Sequence, residues 1–254
     1  GRIETAGFGG IEDNVQSRNL DDRYQVNLST AFELGKLFPE KAKVHLPIFF
    51  SYSQDYTKPQ YNPLDQDVLL DDAIDNLETE EEKEDLRRNS VTKAVTKSVN
   101  LTNVKVDYSG NKPRIYDPAN FSVSYAYNET SDLDPETERD FTKQHQGSFI
   151  YDFNTTPKPW EPFKNMKGLN KPIFKIIQDF NLFYLPSRIG FSVNIARNYS
   201  ETLKRDLTGT METPTSWKDN TLLSYIKDFN WDRKFDFKYD LTKNLKFSFN
   251  SAAN

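Results

Sequence analysis

Polar and apolar residues alternate with period two along much of the chain. In Arg23–Leu34, Tyr24, Val26, Leu28, Thr30, Phe32 and Leu34 alternate with Gln25, Asn27, Ser29, Ala31 and Glu33. The same rhythm runs through Val44–Tyr52, Phe121–Asn128, Arg188–Ala196, Trp231–Leu241 and Leu245–Asn250. Successive side chains of a strand point to opposite faces, so each segment predicts a strand with one apolar and one wet face. Weaker strands are predicted over Arg2–Phe8, Ser98–Tyr108 and Gln146–Phe153, for about nine in total. In the second of these the apolar parity slips after Leu101 and resumes at Val104, which predicts a β-bulge near Asn103.

Two stretches break the rhythm. Asp67–Arg88 predicts a short amphipathic helix with a charged extension, capped by Asp65 or Asp67 and favoured electrostatically at its far end by Arg87 and Arg88. Thr155–Pro172 carries four prolines and reads as a long irregular connection, leading into a turn of helix near Ile173–Phe180. If Leu241–Leu245 is a tight periplasmic turn, parity places 35–43 and 109–119 on its side. It places the longer 10–22, 56–96, 130–142 and 200–222 on the other. The long 154–180 connection then falls among the short turns. The expected organisation is a single unit over 1–254, with 56–96 a long loop and 154–180 a Pro-rich connection.

The fold class is therefore all-β, and pattern alone leaves two architectures open. One is an arc of a large antiparallel transmembrane β-barrel, with one short helix in a long loop. The other is a soluble or surface-anchored β-sandwich that binds carbohydrate or protein. Composition sharpens the choice. Aromatics make up 14% of the residues, which suits strands and the aromatic faces of barrels. Several strands reach the 9–11 residues a membrane crossing needs. The mean hydropathy of −0.77 and the lack of any ~20-residue apolar run exclude a helical membrane protein. The net charge of −5 argues against a general nucleic-acid partner. With no Cys, disulfides, thiolate catalysis and Cys-based zinc sites are excluded. The chain opens on Gly1 and stops within a strand pattern, so a fragment of a longer polypeptide is expected, incomplete at both ends.

In the barrel reading, the lipid-facing residues are Tyr24, Val26, Leu28, Phe32, Phe121, Val123, Tyr125, Ile189, Phe191, Val193, Ile195, Phe235, Phe237 and Tyr239. The lumen-facing residues are Asn27, Ser29, Ser122, Ser124, Ser192, Asn194, Asp232, Lys234, Asp236, Lys238 and Asp240. Trp231 then marks a membrane interface, and Arg233 either snorkels toward headgroups or belongs to a strand end above the bilayer. The alternating charges of Asp232–Asp240 would keep a hydrated pore wall close to neutral.

Ordered motifs add a family. Tyr184-Leu185-Pro186-Ser187-Arg188-Ile189-Gly190-Phe191, leading to Arg197-Asn198-Tyr199-Ser200-Glu201, resembles the SprA/Sov family. So do Phe229-Asn230-Trp231-Asp232-Arg233-Lys234-Phe235 and Tyr239–Leu245, together with Lys158–Phe163 and Tyr61–Asp65. The motifs span roughly 60–254, while the first 55 residues fit only by pattern. The resemblance implies part of the outer-membrane translocon barrel of the Bacteroidota type IX secretion system, linked to gliding motility. It also implies secreted protein cargo, a FadL-like outer-membrane shuttle, a periplasmic plug and a lipid bilayer as partners.

No enzyme and no cofactor are expected. His45 and His145 lack any nucleophile or metal-ligand motif beside them and read as wall or loop residues. Asp65, Asp67, Asp71, Asp72 and Asp75 lack EF-hand spacing and read as a solvated helix face. Gly7, Gly9 and Gly10 read as a turn, and Glu78–Glu84 as a solvated charge run. The sequons at Asn128 and Asn198 read as chance occurrences in an Asn- and Thr-rich chain.

Overall fold

The computed structural model describes residues 1–5, 20–107, 114–164, 175–206 and 222–254. In chain order the elements are β1 (Arg2–Glu4), β2 (Asp21–Glu33), β3 (Val44–His45), β4 (Pro47–Pro59), β5 (Tyr61–Asn62), β6 (Asp65–Leu69), α1 (Leu70–Asp75), α2 (Glu80–Ser90), β7 (Thr92–Val106), β8 (Phe121–Leu133), β9 (Thr137–Asn154), α3 (Lys175–Gln178), β10 (Arg188–Lys204), β11 (Leu223–Asp240) and β12 (Lys246–Ala253).

The alternating segments pair into one antiparallel meander, in the order β1-β2-β4-β7-β8-β9-β10-β11-β12, with β3 on the end of β7. Along this order the strands follow one another in sequence and antiparallel, with β3 inserted between β2 and β4, and β5, β6, α1 and α2 between β4 and β7. The second sheet is the two-stranded β5–β6 hairpin. Among the described residues nothing is layered across the main sheet, so the sandwich is not the architecture. The buried apolar residues are few: Leu70 and Ile74 of α1, Val91, and Phe153 at the foot of β9. Apart from Phe153, which pairs with Ile189, the apolar faces of the strands are not among them. Leu28 is 60% exposed and Phe32 58%.

The bulge lies where the parity slip places it. Leu101 pairs with Tyr125 and Val104 with Val123, so two residues of β7 oppose Ser124 alone. Asn103 takes the left-handed conformation at φ 53, and its N–H donates to the Ser124 hydroxyl at 2.8 Å. Asn tolerates this conformation better than most residues. The insertion returns Val104 and Val106 to the apolar face.

Other boundaries differ from expectation. The strand expected at Gln146–Phe153 runs Thr137–Asn154, and the one at Ser98–Tyr108 runs Thr92–Val106. The loop expected over 130–142 is a tight turn, because β8 continues to Leu133 and β9 starts at Thr137. Asp134 closes this turn by accepting from the N–H groups of Glu136 and Thr137. Polar residues here continue the strands, which a search for apolar alternation overlooks. The helix expected over Asp67–Arg88 is two helices after a hairpin. Neither Asp65 nor Asp67 caps it. Leu69 precedes α1, and Thr79 caps α2 through a capping box with Glu82. The long loop of 56–96 narrows to 60–91. The first expected strand is seen as Arg2–Glu4. Residues 6–8, with Gly7, Gly9 and Gly10, lie outside the described residues.

At Asn103, a β-branched residue meets the left-handed backbone penalty of about 1–2 kcal/mol. Asn103→Val is expected to lower stability by that amount and Asn103→Gly to leave it nearly unchanged, as measured by urea unfolding.

Candidate functional site

The register decides which side chains share a face. Following it from Tyr24 through Tyr56, Lys93, Leu133, Arg139 and Leu203 to Leu223 traces one continuous face across seven strands. All fourteen apolar residues assigned to lipid fall on this face. The eleven assigned to the lumen fall on the opposite one. Strand by strand the sequence fixes only a parity; the hydrogen-bonded register joins these parities without a mismatch.

The two faces differ in curvature. A hollow of about 540 Å³ opens on the polar face, with Phe49, Asn100, Ser124, Gln146, Asn194 and Asp232 around it, one from each of six adjacent strands. The sheet therefore curls toward its polar side, and the aromatic face is convex. Packed rings line that convex face. Phe149 lies edge-on to Phe191 at 6.5 Å, and Phe237 edge-on to Phe247 at 6.2 Å.

The strand ends are staggered. Counted along β10, the hairpin ends at Glu33/Pro47, Lys105/Ser122, Asn154/Arg188 and Asp240/Lys246 fall progressively lower, by about eight residues over six strand spacings. At about 3.3 Å per residue and 4.8 Å per strand, this line of turns crosses the hydrogen-bond rows at about 42°. The convex apolar stretches follow it. They run from Ile189–Ile195 on β10 through Phe121–Tyr127 on β8 to Ile48–Tyr56 on β4. The first charged convex residues above them are Arg233, Arg197, Lys143, Glu129 and Lys97. These lie about six to ten residues above the line of turns, about 15–24 Å measured perpendicular to it. The Arg233 guanidinium lies 4.2 Å from the Trp231 ring centroid, so its charge leans away from the apolar stretch along the strand.

The concave wall is knit by short polar contacts across strands. Ser51 and Ser98 meet at 2.6 Å, the Ser53 hydroxyl donates to Asn27 at 2.6 Å, and that of Ser148 to Asn194 at 2.8 Å. Arg188 sits between Asp152 at 3.3 Å and Asp236 at 3.5 Å, a charge-sharing cluster over three strands. Arg188 had been singled out only as a motif residue; its place between two acids needs the pairing of β9, β10 and β11, which no local pattern encodes.

The Pro-rich connection ends at 187 and is tied to the sheet. Trp160 and Leu182 form a β-bridge, and Lys243 pairs with Glu161. The Lys243 N–H donates to the Asn181 amide oxygen, and the Tyr239 hydroxyl to the Phe183 carbonyl at 2.7 Å. The segment thus folds under β11 and the β11–β12 turn.

Comparison with known proteins finds a match in the first part of the chain. Residues 1–74 match a family model, SprA_N, described as motility related/secretion protein. That segment is similar to the SprA family. This match covers the N-terminal strands, where the resemblance rested on pattern, and meets the ordered motifs at Tyr61–Asp65. No curated protein matches the chain. The family motifs now have positions. Leu185, Pro186 and Ser187 lead from the Pro-rich connection into β10, where the Ser187 N–H donates to the Lys238 carbonyl at 2.9 Å and Arg188 enters its acidic pair. Trp231 and Arg233 stack on the convex face, while Asp232 turns to the concave one.

The remaining candidates find ordinary partners. His45 bonds Asp107 at 2.8 Å, and His145 bonds the Tyr125 hydroxyl at 2.8 Å. Asp71 pairs with Lys58 at 2.9 Å, and no metal-holding group of carboxylates and His occurs among the described residues. No described helix is long and apolar enough to cross a membrane.

Hydrogen bonds from Lys164 and Lys243 hold the Glu161 carboxyl below its ordinary range. A carboxyl with a lowered folded-state pKa contributes its stabilisation above the unfolded value and loses it as pH falls through the folded one. The protection factor of the Lys243 amide, its exchange rate relative to an unfolded amide at the same pH, is therefore expected to hold near neutral pH and to fall below about pH 4. Glu161→Gln should remove that pH dependence.

Proposed function

We propose that this chain is a non-enzymatic wall segment of an outer-membrane, protein-conducting β-barrel of the type IX secretion system. The observation that carries the reading is the oblique line of turns with the apolar stretches parallel to it. A strand inclined about 42° from the bilayer normal produces such a stagger, and transmembrane barrels tilt their strands by about 35–45° from the barrel axis. The convex aromatics, uncovered except at Phe153 and Tyr239 beside the Pro-rich connection, support the same reading, because a band of apolar surface across eight strands is costly in water and stable against lipid tails. Its height approaches the ~25 Å apolar band of such barrels. In a single layer the hydrogen bonds of the meander satisfy the backbone within the bilayer.

In this role the concave wall is the conduit. Its hydroxyls, amides and balanced charges hydrate a passing protein without binding either charge sign strongly. The secretion and motility description of the family segment supports cargo of that kind, and gliding motility as the linked process. A FadL-like shuttle and a periplasmic plug are the proposed accessory partners, with the bilayer around the convex face.

Two sets of variants test this. Phe191→Arg places a charge in the lipid band, at about 2–4 kcal/mol near the midplane, and should block heat-modifiable assembly into the outer membrane. Asn194→Arg, on the other face of the same strand, should leave assembly intact. Normal assembly of Phe191→Arg would rule out the membrane reading. Replacing Asp232 and Asp240 by Lys should change secretion of cargo with assembly unaltered. Asp236→Lys should also impair assembly, because Arg188 then loses one of its two acids.

A further inference from the structure

The convex face changes character above its apolar stretch. From β7 to β11 it presents Lys93, Lys97, Arg139, Lys143, Arg197, Lys227 and Arg233 against two carboxylates, Glu129 and Glu201. The chain as a whole carries a net charge of −5, so this excess of cations is local. The carboxylates are set among the cations. Glu129 lies 3.0 Å from Lys97 and 3.9 Å from Lys143, and Glu201 pairs with Arg139. Such spacing holds the long side chains in place while leaving most of the positive charge uncompensated. Tyr rings hold one more cation: the Lys227 ammonium is 5.3 Å from the Tyr225 ring centroid and 5.8 Å from that of Tyr199.

The lower border of the belt runs level from β7 to β9, drops by about six residues to β11, and follows the apolar stretch along five strands. We propose that it binds the phosphate groups of glycolipid headgroups in the outward leaflet, directly above the tails that cover the convex aromatics. This rests on the barrel reading. A single free anion would occupy one or two cations. A belt about 20 Å wide, lying just past the apolar surface, matches a layer of headgroups instead. Lys and Arg are the side chains that bind phosphate through charge-assisted hydrogen bonds. Each basic residue near an anionic membrane surface strengthens binding by about fivefold, less at high salt.

The test uses the intact protein bearing this chain, reconstituted in phosphatidylcholine nanodiscs. Bound lipid is counted by native mass spectrometry with bisphosphorylated lipid A or its dephosphorylated form. The convex triple variant Arg197→Gln, Lys227→Gln, Arg233→Gln spares the ion pairs of Glu129 and Glu201. The concave triple Lys234→Gln, Lys238→Gln, Lys246→Gln removes the same charge from the other face. Bisphosphorylated lipid A should bind the convex triple on the order of 100-fold more weakly than the unaltered protein, from three such contributions. It should bind the concave triple unchanged, and millimolar inorganic phosphate should not compete. Equal loss in both triples, or equal binding of the two lipids, would overturn the belt and leave the barrel standing. Competition by phosphate would make it a free-anion site and overturn the lipid assignment. Failure of the unaltered protein to enter phosphatidylcholine alone, before any anionic lipid is added, would overturn the barrel reading and the belt together.

Discussion

Everything in this structure hangs on inter-strand backbone hydrogen bonding in a single layer. A soluble domain buries a core between two layers, and hydrogen bonds then refine a shape that apolar burial has driven. Here the described residues hold only four buried apolar side chains, three of them in or just after the two helices and one, Phe153, at the foot of β9. The sheet has no partner layer to fix it, so the ladder itself sets geometry. It aligns the parities of neighbouring strands, sets the stagger of their ends, and so decides where apolar surface and charge accumulate.

That dependence explains what could be read from the chain beforehand. Alternation is local, so Tyr24–Phe32 or Ile189–Ile195 announce a strand and its two faces without knowledge of any neighbour. The parity slip at Asn103 is local too, and it marks a real bulge. The Asp134 turn was hidden because its flanks, Asn128–Asp132 and Glu138–Gln144, carry few apolar residues to alternate. Those strand ends rise past the apolar band, so both of their faces are polar. The β5–β6 hairpin is short, and the acidic run after it masked Thr79 as a cap.

The features with functional content were the least legible. Arg188 between Asp152 and Asp236, the oblique line of turns, and the cations from Lys97 to Arg233 all join residues on three or more strands. No window of sequence contains them together. Charges that look scattered along the chain gather into a belt once register is known. The alternating charges of the concave wall were legible from Asp232–Asp240 alone, but the cation shared by Asp236 and Asp152 comes from Arg188 on the adjacent strand.

The bulge in β7 has a consequence for how such a sheet finds its pairing. Period-two strands are nearly blind to a slip of two residues, because every side chain keeps its face. Long meanders of similar strands therefore offer many near-equivalent alignments. An inserted residue with left-handed backbone breaks that translational symmetry. Sliding β7 by two along β8 toward Ala126 would take Asn103 away from Ser124 and leave no hydroxyl opposite its N–H. The bulge thus works as a notch in an otherwise smooth rail, giving one alignment an advantage over its neighbours.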